Sequence, residues 1–212
     1  MLMHTPLARD RRRPEGFIQP CQPTLATVVP NGPQWVHEIK HDGMRVVARR
    51  DGPKVQIWSR YGRSRTQDFP AIVAGLLALP LEQFVLDGEA LAHCPGGLPD
   101  FNRTLSTEGQ RTACLIAYDL LEVGGADQRP LPLGRRRDLL QELLGDAPEA
   151  IRLSEHMDGP DGPVMFAHAC RIGLEGIVSK RRDKAYKSGR CATWLKIKNP
   201  GYERRSWRER IA

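Results

Sequence analysis

Between Trp35 and Arg60 the chain passes three times through a short run in which apolar and polar residues tend to alternate: WVHEIK, RVVARR and KVQIWSR. A period of two belongs to a half-buried strand, and Asp51-Gly52-Pro53 supplies a turn between the second run and the third. FVLDGEALA, ACLIAYDLL, GIVSKR and TWLKIKN extend the series of strands toward the end of the chain. Between them, Phe69 to Leu79, LGRRRDLLQELL up to Gly145, and PVMFAHACRI have helical length and composition. Strands and helices are interspersed without a regular βαβ alternation. The expected class is therefore α+β, with antiparallel sheets and flanking helices.

A chain of 212 residues with 40% hydrophobic content can bury one sizeable core. Its apolar runs fall short of the roughly 20 residues that cross a bilayer, so no membrane passage is expected. The opening MLMHTPLARDRRRPEG has arginines with no apolar segment behind them, which argues against a secretory signal and for the cytoplasm. From Pro14 to Pro33 the prolines predict an extended arm lying over the domain. The expected organisation is a basic arm over residues 1–16, a folded body over 17–200 and a basic tail over 201–212. Cys21, Cys94, Cys114, Cys170 and Cys191 form no CxxC pair and have no His at metal-ligand spacing, so they are expected to be reduced and chemically idle.

Residues 180–212 hold 12 Lys and Arg against 3 Asp and Glu, whereas the residues before them carry a small acidic excess. A basic stripe concentrated at one end suits a polyanion, because each neutralised phosphate releases counterions; a solvated, solubilising tail would look the same.

The period of two also sorts side chains by face. In TWLKIK it sends Leu195 and Ile197 to one side and Trp194, Lys196 and Lys198 to the other, so two ammonium groups share a face that could serve a phosphate or simply solvent. Glu38 and Lys40 likewise share a face of WVHEIK, and the turn Asp42-Gly43 follows at once. A lysine that acts as a nucleophile must be neutral, which requires its pKa to fall from roughly 10.4 through burial or neighbouring cations. Arg45, Arg60, Lys196 and Lys198 are candidates to supply that charge. His37 and His41 receive no catalytic role.

The segments EIKHDGMR (38–45), SRYG (59–62), LDGEA (86–90), AYDLL (117–121), LEGIVSK (174–180) and WLKIK (194–198) resemble, in order and spacing, the nucleotidyltransferase motifs of ATP-dependent DNA ligases, with the closest likeness to bacterial ligases of non-homologous end joining. The resemblance implies the fold of a ligase adenylation domain. It makes Lys40 the nucleophile that takes AMP from ATP, with Glu38 accepting a hydrogen bond from the adenine amino group and Tyr118 stacking on the ring. Arg45 and Arg60 would bind ribose or phosphate. Glu89 would hold the ribose or a metal, Glu175 would support Mg2+ or Mn2+, and Lys196 and Lys198 would contact the α-phosphate. The implied second substrate is nicked or broken double-stranded DNA in repair, met at the nucleoid.

Two departures accompany the likeness. Met44 stands where these ligases usually carry an aromatic residue, and RSRTQDFP lacks their Trp-Thr type of pair. The stretch NPGYERRSWRERIA after Lys198 cannot build a C-terminal OB-fold, which leads to the expectation of no such domain here and of a separate OB-domain or end-joining protein as partner. An RNA ligase, a capping-type nucleotidyltransferase and a non-catalytic nick- or end-binding accessory are the rival expectations.

Overall fold

The computed structural model describes residues 13–92 and 101–203. Of the expected arm and tail, only residues 13–16 and 201–203 fall among these; Cys94 lies outside them as well. In chain order the elements are β1 (Cys21–Ala26), β2 (Trp35–Ile39), β3 (Met44–Asp51), β4 (Lys54–Ser59), α1 (Pro70–Ala78), β5 (Gln83–Leu91), α2 (Phe101–Leu105) and α3 (Thr107–Thr112). They continue with β6 (Cys114–Val123), β7 (Ala126–Asp127), α4 (Leu133–Leu143), β8 (Ile151–Leu153), β9 (His156–Asp158), α5 (Gly162–Arg171), β10 (Gly176–Arg181) and β11 (Gly189–Lys198).

The strands form two sheets. One has the order β1-β11-β10-β2-β9, the other β4-β3-β5-β6-β7 with β8 added beside β6. Pairing is antiparallel as expected, except that β1 runs parallel to β11 and β8 parallel to β6. The alternation along each strand explains how three layers of core arise. Val46, Ala48 and Leu86 point to the side covered by α1 and α4, where they meet Ile72, Leu76 and Leu140. Val47 and Val85 point the other way and meet Cys21, Cys191 and Trp194 of the first sheet. Ile177, Ile197 and Leu195 face outward from that sheet onto Met165 and Ala169 of α5. A one-residue slip would turn each set to the wrong face.

The expected arm takes a more definite form. Phe17 and Ile18 pack into the layer between the sheets, with Phe17 edge-on to Trp58 at 5.9 Å, and the chain then enters the first sheet as β1. Pro23 is tolerated because β1 is an edge strand, and its register with β11 shifts at Pro23/Thr24. The elements absent from the sequence reading, α2, α3, β7, β8 and β9, are all six residues or shorter. Pieces of that length hold by tertiary contact and local caps, such as Ser106 Oγ accepting from Gly109 N at 3.0 Å ahead of α3. Among the described residues no helix is long and apolar enough to cross a membrane.

Candidate nucleotide site

The two sheets diverge at one end to leave a cleft of about 460 Å³. From the first sheet it takes Glu38, Val178, Lys180, Trp194 and Lys196, and from the second Met44, Arg45, Ser59 and Glu89, with Tyr118 on β6. Lys40 and His41 come from the turn between β2 and β3, so the first sheet hands the chain to the second at the mouth of the cleft.

Lys40 leaves β2 with its backbone N–H donating to Gly176 O at 2.9 Å, and its Nζ lies 2.6 Å from Glu175 Oε2. Lys198 Nζ approaches the other oxygen of Glu175 at 3.4 Å. The turn beyond Lys40 must be tight and bare. A Cβ at Gly43 would lie 2.6 Å from Ala90 O and 2.9 Å from Glu89 Cγ, so only glycine lets the turn sit against β5.

Glu38 forms the floor. It is 2% exposed, and its carboxylate receives Arg137 Nη1 at 2.5 Å, Lys180 Nζ at 2.8 Å and Ser154 Oγ at 2.8 Å. Burial pushes this carboxyl up, but Lys180 and Arg137 together outweigh it and hold it below the ordinary glutamate range. Lys180 Nζ also lies 4.5 Å from the Tyr118 ring centre and 4.1 Å from that of Trp194, so two aromatic rings and a cation wall the inner cleft.

Arg45 is tied down. It makes a paired contact with Asp87 at 3.0 and 2.7 Å, donates to Cys21 O, and lies 5.4 Å from the Tyr118 ring centre. Tyr186 Oη donates at 2.5 Å to the same Asp87 oxygen that receives Arg45 Nη2, a second tie on the carboxylate. Arg45 therefore enters the cleft as a wall held in place rather than as a free cation. Arg60 is exposed at the rim, over the ring of Tyr61.

Glu89 lies opposite Arg45 on β5. Burial pushes its carboxyl up to about 7, with Arg45 and Lys40 pulling back. Burial, then the charges of Lys198, Lys40 and Arg60, push Lys196 below the ordinary lysine value. Lys196 and Glu89 are thus two groups of this cleft whose charged forms are disfavoured, in contrast to Glu38 and Arg45, whose ion pairs hold them charged.

Of the residues expected to bind or react, Glu38, Lys40, Arg45, Arg60, Glu89, Tyr118 and Lys196 line this cleft, and Glu175 and Lys198 are joined to it through the contact with Lys40. His37 stays out of it: it is fully buried, with Nε2 3.0 Å from Gly159 O and Nδ1 2.8 Å from Ser179 Oγ, whereas His41 lines the cleft. Lys180, Trp194, Arg137 and Asp87 were not assigned roles, although the face rule applied to GIVSKR would have found one of them. Val178 and Lys180 point into the cleft while Ile177 and Ser179 point away.

Among the described residues no group of three or more His, Cys, Asp or Glu is arranged to hold a metal ion. Glu175 and Glu89 offer hard oxygen donors in small number, which fits a cation such as Mg2+ that draws its remaining ligands from phosphates and water.

Residues 18–198 match the family model for the ATP dependent DNA ligase domain. The chain is 34% identical over 205 residues to the "Multifunctional non-homologous end joining protein LigD" of Pseudomonas aeruginosa, covering 92% of this chain and 24% of that protein. It is 36% identical over 178 residues to a "Probable DNA ligase" of Streptomyces coelicolor, covering 76% of this chain and 34% of that one. The chain spans about a quarter to a third of the length of these curated relatives. The crystal structure of the ligase domain of Mycobacterium tuberculosis LigD superposes with a TM-score of 0.75 at 32% identity, covering 85% of this chain and 59% of that one. A mycobacterial DNA ligase D complexed with ATP and MES gives 0.74 at 31% identity, with 85% and 60% covered.

Proposed function

Because the chain belongs to the ATP-dependent DNA ligase family, we propose that it transfers AMP from ATP to Lys40 and delivers that AMP to the 5′-phosphate of nicked or broken double-stranded DNA. The observation that carries the proposal is the position of Lys40 Nζ at the mouth of a cleft whose floor is Glu38 with Lys180 and whose walls are Tyr118 and Trp194.

In this reading adenine stacks on Tyr118, and the Glu38 carboxylate accepts from its amino group. Lys196 and Lys198 then neutralise the phosphates. Lys40 Nζ, once it has shed its proton, attacks the α-phosphorus; an N–P bond forms as the bond to pyrophosphate breaks. Nucleotidyl transfer asks mainly for in-line positioning and charge neutralisation, and the cleft offers both. Glu175 and Glu89 would hold Mg2+ or Mn2+, which supplies further neutralisation of phosphate charge.

Arg60, exposed at the rim, is free to meet the phosphate of the DNA strand. The name of the Pseudomonas aeruginosa relative places that protein in end joining, and the same role in bacterial DNA repair, with an end-joining protein or an OB-domain as partner, is carried to this chain on that ground.

The test is nucleotide choice followed by sealing. Protein incubated with α-labelled ATP should gain label that GTP does not provide, and a nick carrying a pre-formed 5′-adenylate should be closed. Preference for GTP, or equal labelling by both, would favour a capping-type enzyme.

A further inference from the structure

Beyond β11 the chain does not leave the site at once. Asn199 N donates to Glu175 O at 2.9 Å, and Asn199 Nδ2 donates to Leu174 O at 2.9 Å. The side-chain oxygen of Asn199 accepts from Gly201 N at 2.9 Å, and Tyr202 N donates to Asn199 O at 3.1 Å. These bonds fold residues 199–202 into a compact turn that aims Tyr202 back at the cleft. Tyr202 Oη then donates to Asp42 Oδ2 at 2.6 Å.

The turn thus touches both sides of the Lys40–Glu175 pair. On one side it holds the backbone of Glu175; on the other it holds Asp42, two residues after Lys40. Asp42 itself is 9% exposed, and the glycine that follows it is pressed against β5. The Lys40 backbone is fixed on its first side by Gly176 O. Asp42 is where the second side can be fixed.

We infer that residues 199–202 form a latch in which Tyr202, through its hydrogen bond to Asp42, is a positioning residue that sets the Lys40 amine against the reacting phosphate. The inference rests on the function proposed above for Lys40 and adds a residue outside the six motif segments. Tyr202 is not among the residues that line the cleft; it acts by fixing the turn that presents the nucleophile. A displaced nucleophile is expensive, since a shift of order 1 Å costs up to about 100-fold in rate.

Tyr202→Phe removes one hydroxyl and keeps the ring. Single-turnover formation of Lys40-AMP at saturating ATP should fall about 10- to 100-fold, while the ATP concentration giving half the maximal rate stays within about twofold of wild type. Amide hydrogen exchange over residues 40–45 should speed up in the same variant, whether or not the protein takes AMP. An unchanged saturating rate, a loss confined to the ATP dependence, or unchanged exchange in the 40–45 turn would each overturn the inference. If wild type takes no AMP at all, the proposed function fails, and the exchange measurement alone still decides whether the latch holds the turn.

Discussion

Lys40 Nζ lies 2.6 Å from Glu175 Oε2, and Lys198 Nζ lies 3.4 Å from the other oxygen of that carboxylate. One carboxylate therefore clasps the proposed nucleophile and one of the proposed phosphate ligands together. In the proposed reaction this contact would open before the amine attacks, which would leave Glu175 available to a cation. Glu175→Gln keeps the shape and removes the charge. Formation of the Lys40 adduct should fall about 100-fold or more, and the Mg2+ concentration needed for half the remaining rate should rise. A Mg2+ titration of adduct formation checks this; an unshifted requirement would separate Glu175 from the cation.

The floor of the cleft makes a prediction about stability. Glu38 and Lys180 are 2% and 1% exposed, so removing one partner leaves a buried charge with fewer contacts. Lys180→Met should cost about 3–5 kcal/mol in urea unfolding, the range for a broken buried pair. It should also weaken ATP binding, because the cation beside Tyr118 and Trp194 is lost. Glu38 has a folded pKa below its ordinary value, so its contribution is present above that ordinary value and fades as pH falls through the lower one. The destabilisation by Lys180→Met should accordingly be larger at pH 7 than in strong acid.

Glu89 has the opposite sign. Its carboxyl is raised from 4.5 to about 7, so in the free protein it favours folding below pH 4.5, and that contribution is lost as pH rises toward and past 7. Glu89→Gln removes the dependence. Relative to wild type, the variant should be more stable at pH 8 than at pH 5 by about 1–2 kcal/mol, with solvent screening allowed for. Thermal unfolding at the two pH values measures it. The same variant should be slower in adduct formation, a trade of function for stability that a ligand-binding carboxylate predicts.

Most of the fold and most of the site can be read from the residues, for one shared reason. In β11 the period of two is plain, so the rule that buries Leu195 and Ile197 under α5 delivers Trp194 and Lys196 to the cleft. Lys180 escaped because its charge reads as solvated until Glu38 and Arg137 are seen around it. Arg45 looked like a free phosphate ligand because Asp87, its partner, is far away in sequence and joins it only through the pairing of β3 with β5. Tyr202 carried no signal, since nothing local announces a hydrogen bond to Asp42 across the whole length of the fold. Strand β1 was legible as extended chain but not as a strand, because its partner β11 lies at the other end of the sequence.

The central claim is that Lys40 carries AMP. Purified protein incubated with ATP and Mg2+ should gain one adenylyl group by intact mass, a peptide map should place it on Lys40, and Lys40→Arg should gain none. A wild-type mass that does not change, or an adduct that persists in the Lys40→Arg protein, would contradict the account.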